Sequence, residues 1–191
     1  MKPARLICIV SLASASFAFA QAPQQQTPPP PWKSQVTSAV HGIVHTQFTL
    51  LGKYLKAPQG EVTHGPALVV ECIPSKGSHG SKGRFVSANL LAGTTFKIDY
   101  VEPEEIHGTS YYPKVFVEFR LDDAKEEKEK WSPGNNKTSA SIPKDSLKKI
   151  LRGHVVEISA DDDDGSHLVM HFDMPDPAPV EQACNVDEPK K

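Results

Sequence analysis

His167, His171 and Asp173 are spaced i, i+4 and i+6. Residues two apart on a strand share a face, so these three line one side of any strand they form. His41 and His45 repeat the i, i+4 spacing. Two such pairs meeting would offer the imidazole and carboxylate ligands that zinc and copper take. The pairs are distant in the chain, however, and the outward face of a strand is also where ordinary exposed histidines sit. No metal is therefore assigned, and His167, His171 and Asp173 stand only as its candidate ligands. Asp161 to Asp164, followed by Gly165, invites a calcium reading. Calcium wants oxygens at alternating positions and a bidentate acid closing the loop. This run lacks both, and acids with glycine are also what a hairpin tip needs.

Nucleophilic chemistry finds no support. The serines form no nucleophile elbow, and the glycines between Gly77 and Gly83 do not open a helix after a strand as a phosphate cradle does. No catalytic residue and no cofactor are assigned. Lys148, Lys149 and Arg152 form a basic face on a predicted helix and are the candidate partner-docking residues.

The cysteines depend on where the chain resides. Lys2 and Arg5 precede an apolar run from Leu6 through Phe19, and Ala18-Phe19-Ala20 has the small-x-small pattern of a cleavage site. Residues 1–20 read as an export signal, with Gln21 the new N-terminus. The apolar run is short for a membrane span and serines interrupt it. Cys8 leaves with the leader. Cys72 and Cys184 remain, and an even count in an exported chain reads as one disulfide. The whole chain carries a formal net charge of −2. Loss of Lys2 and Arg5 makes the mature form more negative, which argues against nonspecific binding to nucleic acid or anionic membrane. No later segment approaches a transmembrane length.

These residues need elements to position them. Residues 21–31 (QAPQQQTPPPP) read as a disordered or polyproline arm. A single β-rich domain is expected over 32–184, with 185–191 a flexible tail. Strands are predicted at about 32–38, 43–51, 67–73, 84–91, 94–101, 114–121 and 138–142, with loops over 56–66, 74–83 and 102–113. Leu68, Val70 and Cys72 share one face. Val115, Val117, Phe119 and Leu121 share another, opposite Glu118 and Arg120. The charged run Asp122–Lys130 reads as a solvated hairpin tip, with Trp131 opening a returning strand. Pro143 to Arg152 reads as a helix with a Leu147, Ile150, Leu151 stripe, ended by Gly153 in a left-handed conformation. A hairpin pairs 155–159 with 166–174 across the acidic turn. Residues 180–184 read as one helical turn carrying Cys184 to the core edge. The fold class is mainly β: a two-layer sandwich, immunoglobulin-like or similar, with one short helix near 143–152.

The order of features resembles a family of small exported accessory proteins associated with type VI secretion in Gram-negative bacteria, together with uncharacterised relatives. Trp32 opens the domain, and Pro66-Ala67-Leu68-Val69-Val70-Glu71-Cys72 runs into a cysteine. Val115 to Asp123 alternates and ends in acids, and Trp131 follows. Leu147-Lys148-Lys149-Ile150-Leu151 supplies the helix, and Phe172-Asp173 leads to Cys184. The likeness covers about Trp32 to Cys184. Pro175, Pro177 and Pro179 depart from it where the family tends to have a helix, and the charged insert and proline-rich arm are this chain's own. The resemblance implies an exported, disulfide-linked β-sandwich and brings no catalytic residues.

The functional expectation is a non-catalytic, exported accessory or binding protein, periplasmic or secreted, meeting an envelope or secretion-system protein. A small-ligand or metal-binding periplasmic protein is the alternative, and a cell-envelope hydrolase with an unrecognised site is the second.

Overall fold

The computed structural model describes residues 31–38, 44–76, 82–101 and 111–184. The predicted leader 1–20, nearly all of the arm 21–31, the tail 185–191 and His41 lie outside the described residues, as does most of the predicted loop 102–113.

The described chain is mainly β. Its strands are β1 (Lys33–Ser38), β2 (Val44–Leu51), β3 (Lys53–Lys56), β4 (Ala67–Lys76), β5 (Lys82–Leu91), β6 (Asp99–Val101), β7 (Tyr112–Leu121), β8 (Glu127–Pro133), β9 (Ser139–Ser141), β10 (Val155–Asp161) and β11 (His167–Asp173). Two helices, α1 (Lys144–Arg152) and α2 (Ala178–Cys184), complete it. The strands form one antiparallel sheet in the order β1-β2-β4-β5-β9-β8-β7-β10-β11-β3, with β6 added to β7.

One residue dictates how that ribbon closes. β2 and β3 are separated only by Gly52, yet β2 is second in the order and β3 is last. The sheet must therefore fold back on itself, and Gly52 is where the chain passes between layers. At the other margin β9 pairs with both β5 and β8 and joins the layers there. Period-two alternation aims one face of each layer inward. Phe48, Leu50, Leu68, Val70, Cys72, Ala88 and Leu90 come from the first layer. Val115, Val117, Phe119, Trp131, Ile158, Leu168, Met170 and Phe172 come from the second, and all join one buried core.

The helices close that core. Leu147, Ile150 and Leu151 of α1 are buried. Val180 and Cys184 of α2 are buried, and α2 packs on β4 and β5. Cys184 is bonded to Cys72 on the inward face of β4, as expected, across a sequence separation of 112 residues. Closing a loop of that length in the unfolded chain is worth roughly 4–5 kcal/mol in the chain-entropy account.

Several expectations are corrected. The charged run is only partly a tip: Glu127 to Lys130 belong to β8, paired with β7. Glu129 lies on the inward side with Trp131, and α1 covers it, so tertiary contacts satisfy charges that look solvated in isolation. β3 falls between the predicted strand 43–51 and the predicted loop 56–66, where no strand was expected. β4 and β5 extend to Lys76 and Lys82, shortening the predicted 74–83 loop. Residues 94–101 form only the short β6 and a bridge from Phe96 to Asp162, because the Phe96 side chain is fully buried as a plug in the core. Gly153 has φ −74°, an extended conformation. The Asp122 carboxylate accepts from the His154 and Val155 amides (2.9 and 2.8 Å) and draws the chain straight from α1 into β10.

Candidate functional site

The outward face of the second layer gathers most of the sequence-flagged chemistry. His167, Val169, His171 and Asp173 point away from the core along β11, while Leu168, Met170 and Phe172 point in. His171 lies opposite Glu157 on β10 and Lys53 on β3, and Glu157 lies opposite Arg120 on β7. A polar chain results across four strands. Arg120 binds the Glu157 carboxylate. His171 Nδ1 is 3.6 Å from Glu157 Oε1 and Nε2 is 3.0 Å from Asp173 Oδ1. Lys53 Nζ lies 3.9 Å from Asp173 Oδ2. The His171 side chain is only 14% exposed, and its Nδ1 is buried without a hydrogen-bond partner. The Arg120 guanidinium holds the Glu157 carboxyl below the usual carboxylate range, against the opposing effect of burial.

The two histidines do not converge. His167 Nδ1 takes Asp161 Oδ1 at 3.0 Å, whereas His171 takes Asp173. His45 belongs to β2 in the first layer, on the parity opposite to buried Phe48 and Leu50. The outward faces of the two layers lie on opposite sides of the core, so His45 and the β11 histidines share no site. Among the described residues no group of three His, Cys, Asp or Glu side chains is arranged to hold a metal ion. The acidic turn is occupied by its own backbone. Asp162 is buried, its Oδ1 accepts from the Ser166 amide at 2.7 Å, and Gly165 adopts φ +81°. This is hairpin-turn chemistry.

The basic face of α1 is a fixed platform. Asp145, Lys148, Lys149 and Arg152 recur at i, i+3, i+4 and i+7, the face opposite the buried stripe. Ser146 beneath them is buried and donates to both Glu129 oxygens (2.8 and 2.6 Å), while Trp131 Nε1 donates to Glu129 Oε2 at 2.6 Å. Lys149 Nζ lies 2.5 Å from Glu127, which raises the ammonium's pKa. Lys149 is thus partly spent on anchoring α1 to β8, a contact not foreseen from the sequence. Lys148 is half-buried and has no ion-pair partner among the described residues.

A further outward group escaped the sequence reading. Tyr112, Lys114 and Phe116 share the parity of Glu118 and Arg120 on β7, so two aromatic rings face solvent. Extending the predicted outward face two positions toward the N-terminus of that strand would have found them. No family model matches this chain, and no curated protein or solved structure matches it.

Proposed function

We propose that the protein is a non-catalytic accessory of the cell envelope. It is exported behind the leader at residues 1–20, in the periplasm or beyond, and acts by docking an envelope or secretion-system protein. The observation that carries this reading is the preorganised cationic face of α1. Lys148, Lys149 and Arg152 stand on a helix pinned by its buried stripe and by the Ser146–Glu129 bonds, so little backbone freedom is lost when an acidic partner binds. β1 adds a second contact surface. It sits at one end of the sheet order, pairs only with β2 among the described residues, and leaves Val36 68% exposed. The disulfide suits an oxidising compartment. Among the described residues no helix is long and apolar enough to cross a membrane.

The test is crosslinking in intact source cells followed by capture of the tagged chain. The expected result is one stoichiometric envelope partner, lost in Lys148→Glu with the unfolding midpoint unchanged. The paired exchange Glu127→Lys with Lys149→Glu keeps the internal ion pair while reversing the charge at position 149 of the helix face, and is expected to weaken capture of the partner as well. Retention of the partner in both variants, or no stoichiometric partner, overturns the docking reading. N-terminal sequencing of the exported form, expected to begin at Gln21, tests the address separately.

A further inference from the structure

The exposed aromatic side chains among the described residues are Tyr100, Tyr111, Tyr112 and Phe116, and all come from β6, β7 or the residue before β7. Tyr112 and Phe116 both point outward from β7, and four residues of strand separate them by about 13 Å. Lys114 stands between them with Nζ 3.1 Å from Ser132 Oγ. Lys130, directly opposite Phe116 on β8, places Nζ 5.5 Å from the centre of that ring. A shallow recess of about 200 Å³ lies alongside, bounded by Phe116, Glu118, Lys128 and Lys130. Glu118 is already taken by Lys128. Asp99 is the cross-strand neighbour of Lys114 on β6. Among the described residues neither Lys114 nor Lys130 forms an ion pair.

Two exposed rings interleaved with two such ammonium groups make a strip of alternating apolar and cationic character. The strip lies on a sheet face, where β7 has neighbours on both sides, β8 on one and β10 with β6 on the other. Its backbone groups are therefore not available to add an extended peptide strand. Single-stranded nucleic acid wants a continuous positive groove along its backbone. Here Glu118 and the Arg120–Glu157 pair interrupt the positive charge. A chain of sugar rings bearing acidic groups matches both features, with ring faces for the aromatics and anions for the lysines.

We propose that this outward strip binds an anionic polysaccharide, with sugar rings stacked on Tyr112 and Phe116 and carboxylate or sulfate groups at Lys114 and Lys130. The test is native gel electrophoresis of the purified chain through gels containing polygalacturonate, chondroitin sulfate, neutral dextran or an oligothymidylate. Retardation by at least one of the acidic polysaccharides and none by dextran is expected. Phe116→Ser, Tyr112→Ser and Lys130→Gln should each weaken it roughly tenfold, the loss of one stacked ring or one charge contact, while Lys56→Gln on β3, three strands from β7, leaves it unchanged. Unfolding midpoints are measured in parallel, and Lys130→Gln preserves the reading should a ring deletion weaken the fold. Absence of retardation, equal retardation by dextran, preference for the oligothymidylate, or binding indifferent to Phe116 and Lys130 overturns the proposal.

Discussion

Gly52→Ala is the sharpest test of the folded-back sheet. A Cβ at this position would lie 2.5 Å from Cε1 and 2.7 Å from Cδ1 of Phe172, and 2.7 Å from the His171 carbonyl oxygen. Non-bonded carbon atoms rest at about 3.5–4.0 Å, so the ring and the crossing strand must part by roughly 1 Å. Phe172 is fully buried and cannot swing into solvent. The His171 carbonyl belongs to β11, which is held between β10 and β3. Overpacking of this kind costs about 1–3 kcal/mol, and the rigid neighbours put this site at the upper end. At an unstrained position the same change stabilises by about 0.4–1 kcal/mol through the unfolded chain, so even the sign discriminates. Phe172→Leu removes the clashing ring atoms and by itself costs about 1–2 kcal/mol. The double variant should then be more stable than the sum of the two losses by about 1 kcal/mol or more, the carbonyl contact keeping the relief incomplete. Urea unfolding followed by far-UV circular dichroism gives each midpoint at constant slope. A neutral or stabilising Gly52→Ala, or losses that add within about 0.5 kcal/mol, would refute the close passage of β2 into β3 against β11.

Further outcomes follow from the same contacts. Asp122 sits at φ +49° and accepts two backbone amides, so Asp122→Ala should cost about 2 kcal/mol in denaturant unfolding, while Asp122→Asn keeps an acceptor and costs less. The Val155 and His154 amides hold its folded pKa below the unfolded value. Its ionic contribution is therefore fully present above the ordinary carboxylate range and is lost as pH falls through the lower folded pKa, and Asp122→Asn should flatten that part of the acid titration of stability. Ser146→Ala removes the hydroxyl clasping Glu129 and should cost about 1.5–3 kcal/mol, read as a lower thermal midpoint with partial loss of near-ultraviolet signal from Trp131. Replacing Cys72 and Cys184 together by serine should lower stability by up to about 4–5 kcal/mol, measured against the oxidised chain under identical buffer.

Much of this architecture is legible locally. Leu68, Val70 and Cys72, or Val115, Val117 and Phe119, declare an inward face because side chains alternate with a period of two, whatever the strand pairs with. The α1 stripe and its opposite basic face follow in the same way from the helical repeat. The pairing of Cys72 with Cys184 followed from an even count of cysteines and the expectation of an oxidising compartment. The failures share one cause. Glu127 to Lys130 look like a solvated tip because no local pattern reveals that Glu118, Lys149 and Ser146 will meet them. Gly153 looks like a left-handed cap because Asp122, distant in sequence, is what draws the following residues straight. His167 and His171 share a face as their spacing predicts, but each takes a different carboxylate, Asp161 on the paired strand β10 for His167 and Asp173 on the same strand for His171.

By itself, then, the sequence determined the strand faces, the principal helix, the disulfide partners and the acidic hairpin tip, since each depends on residues near one another or on simple counting. Only the tertiary structure decided the strand order, the passage of the chain between layers at Gly52 and the spending of Lys149 on Glu127. It also decided that Phe116 stands beside Lys130. These are contacts between segments far apart in the chain, and their energies come from burial and pairing that no local window contains.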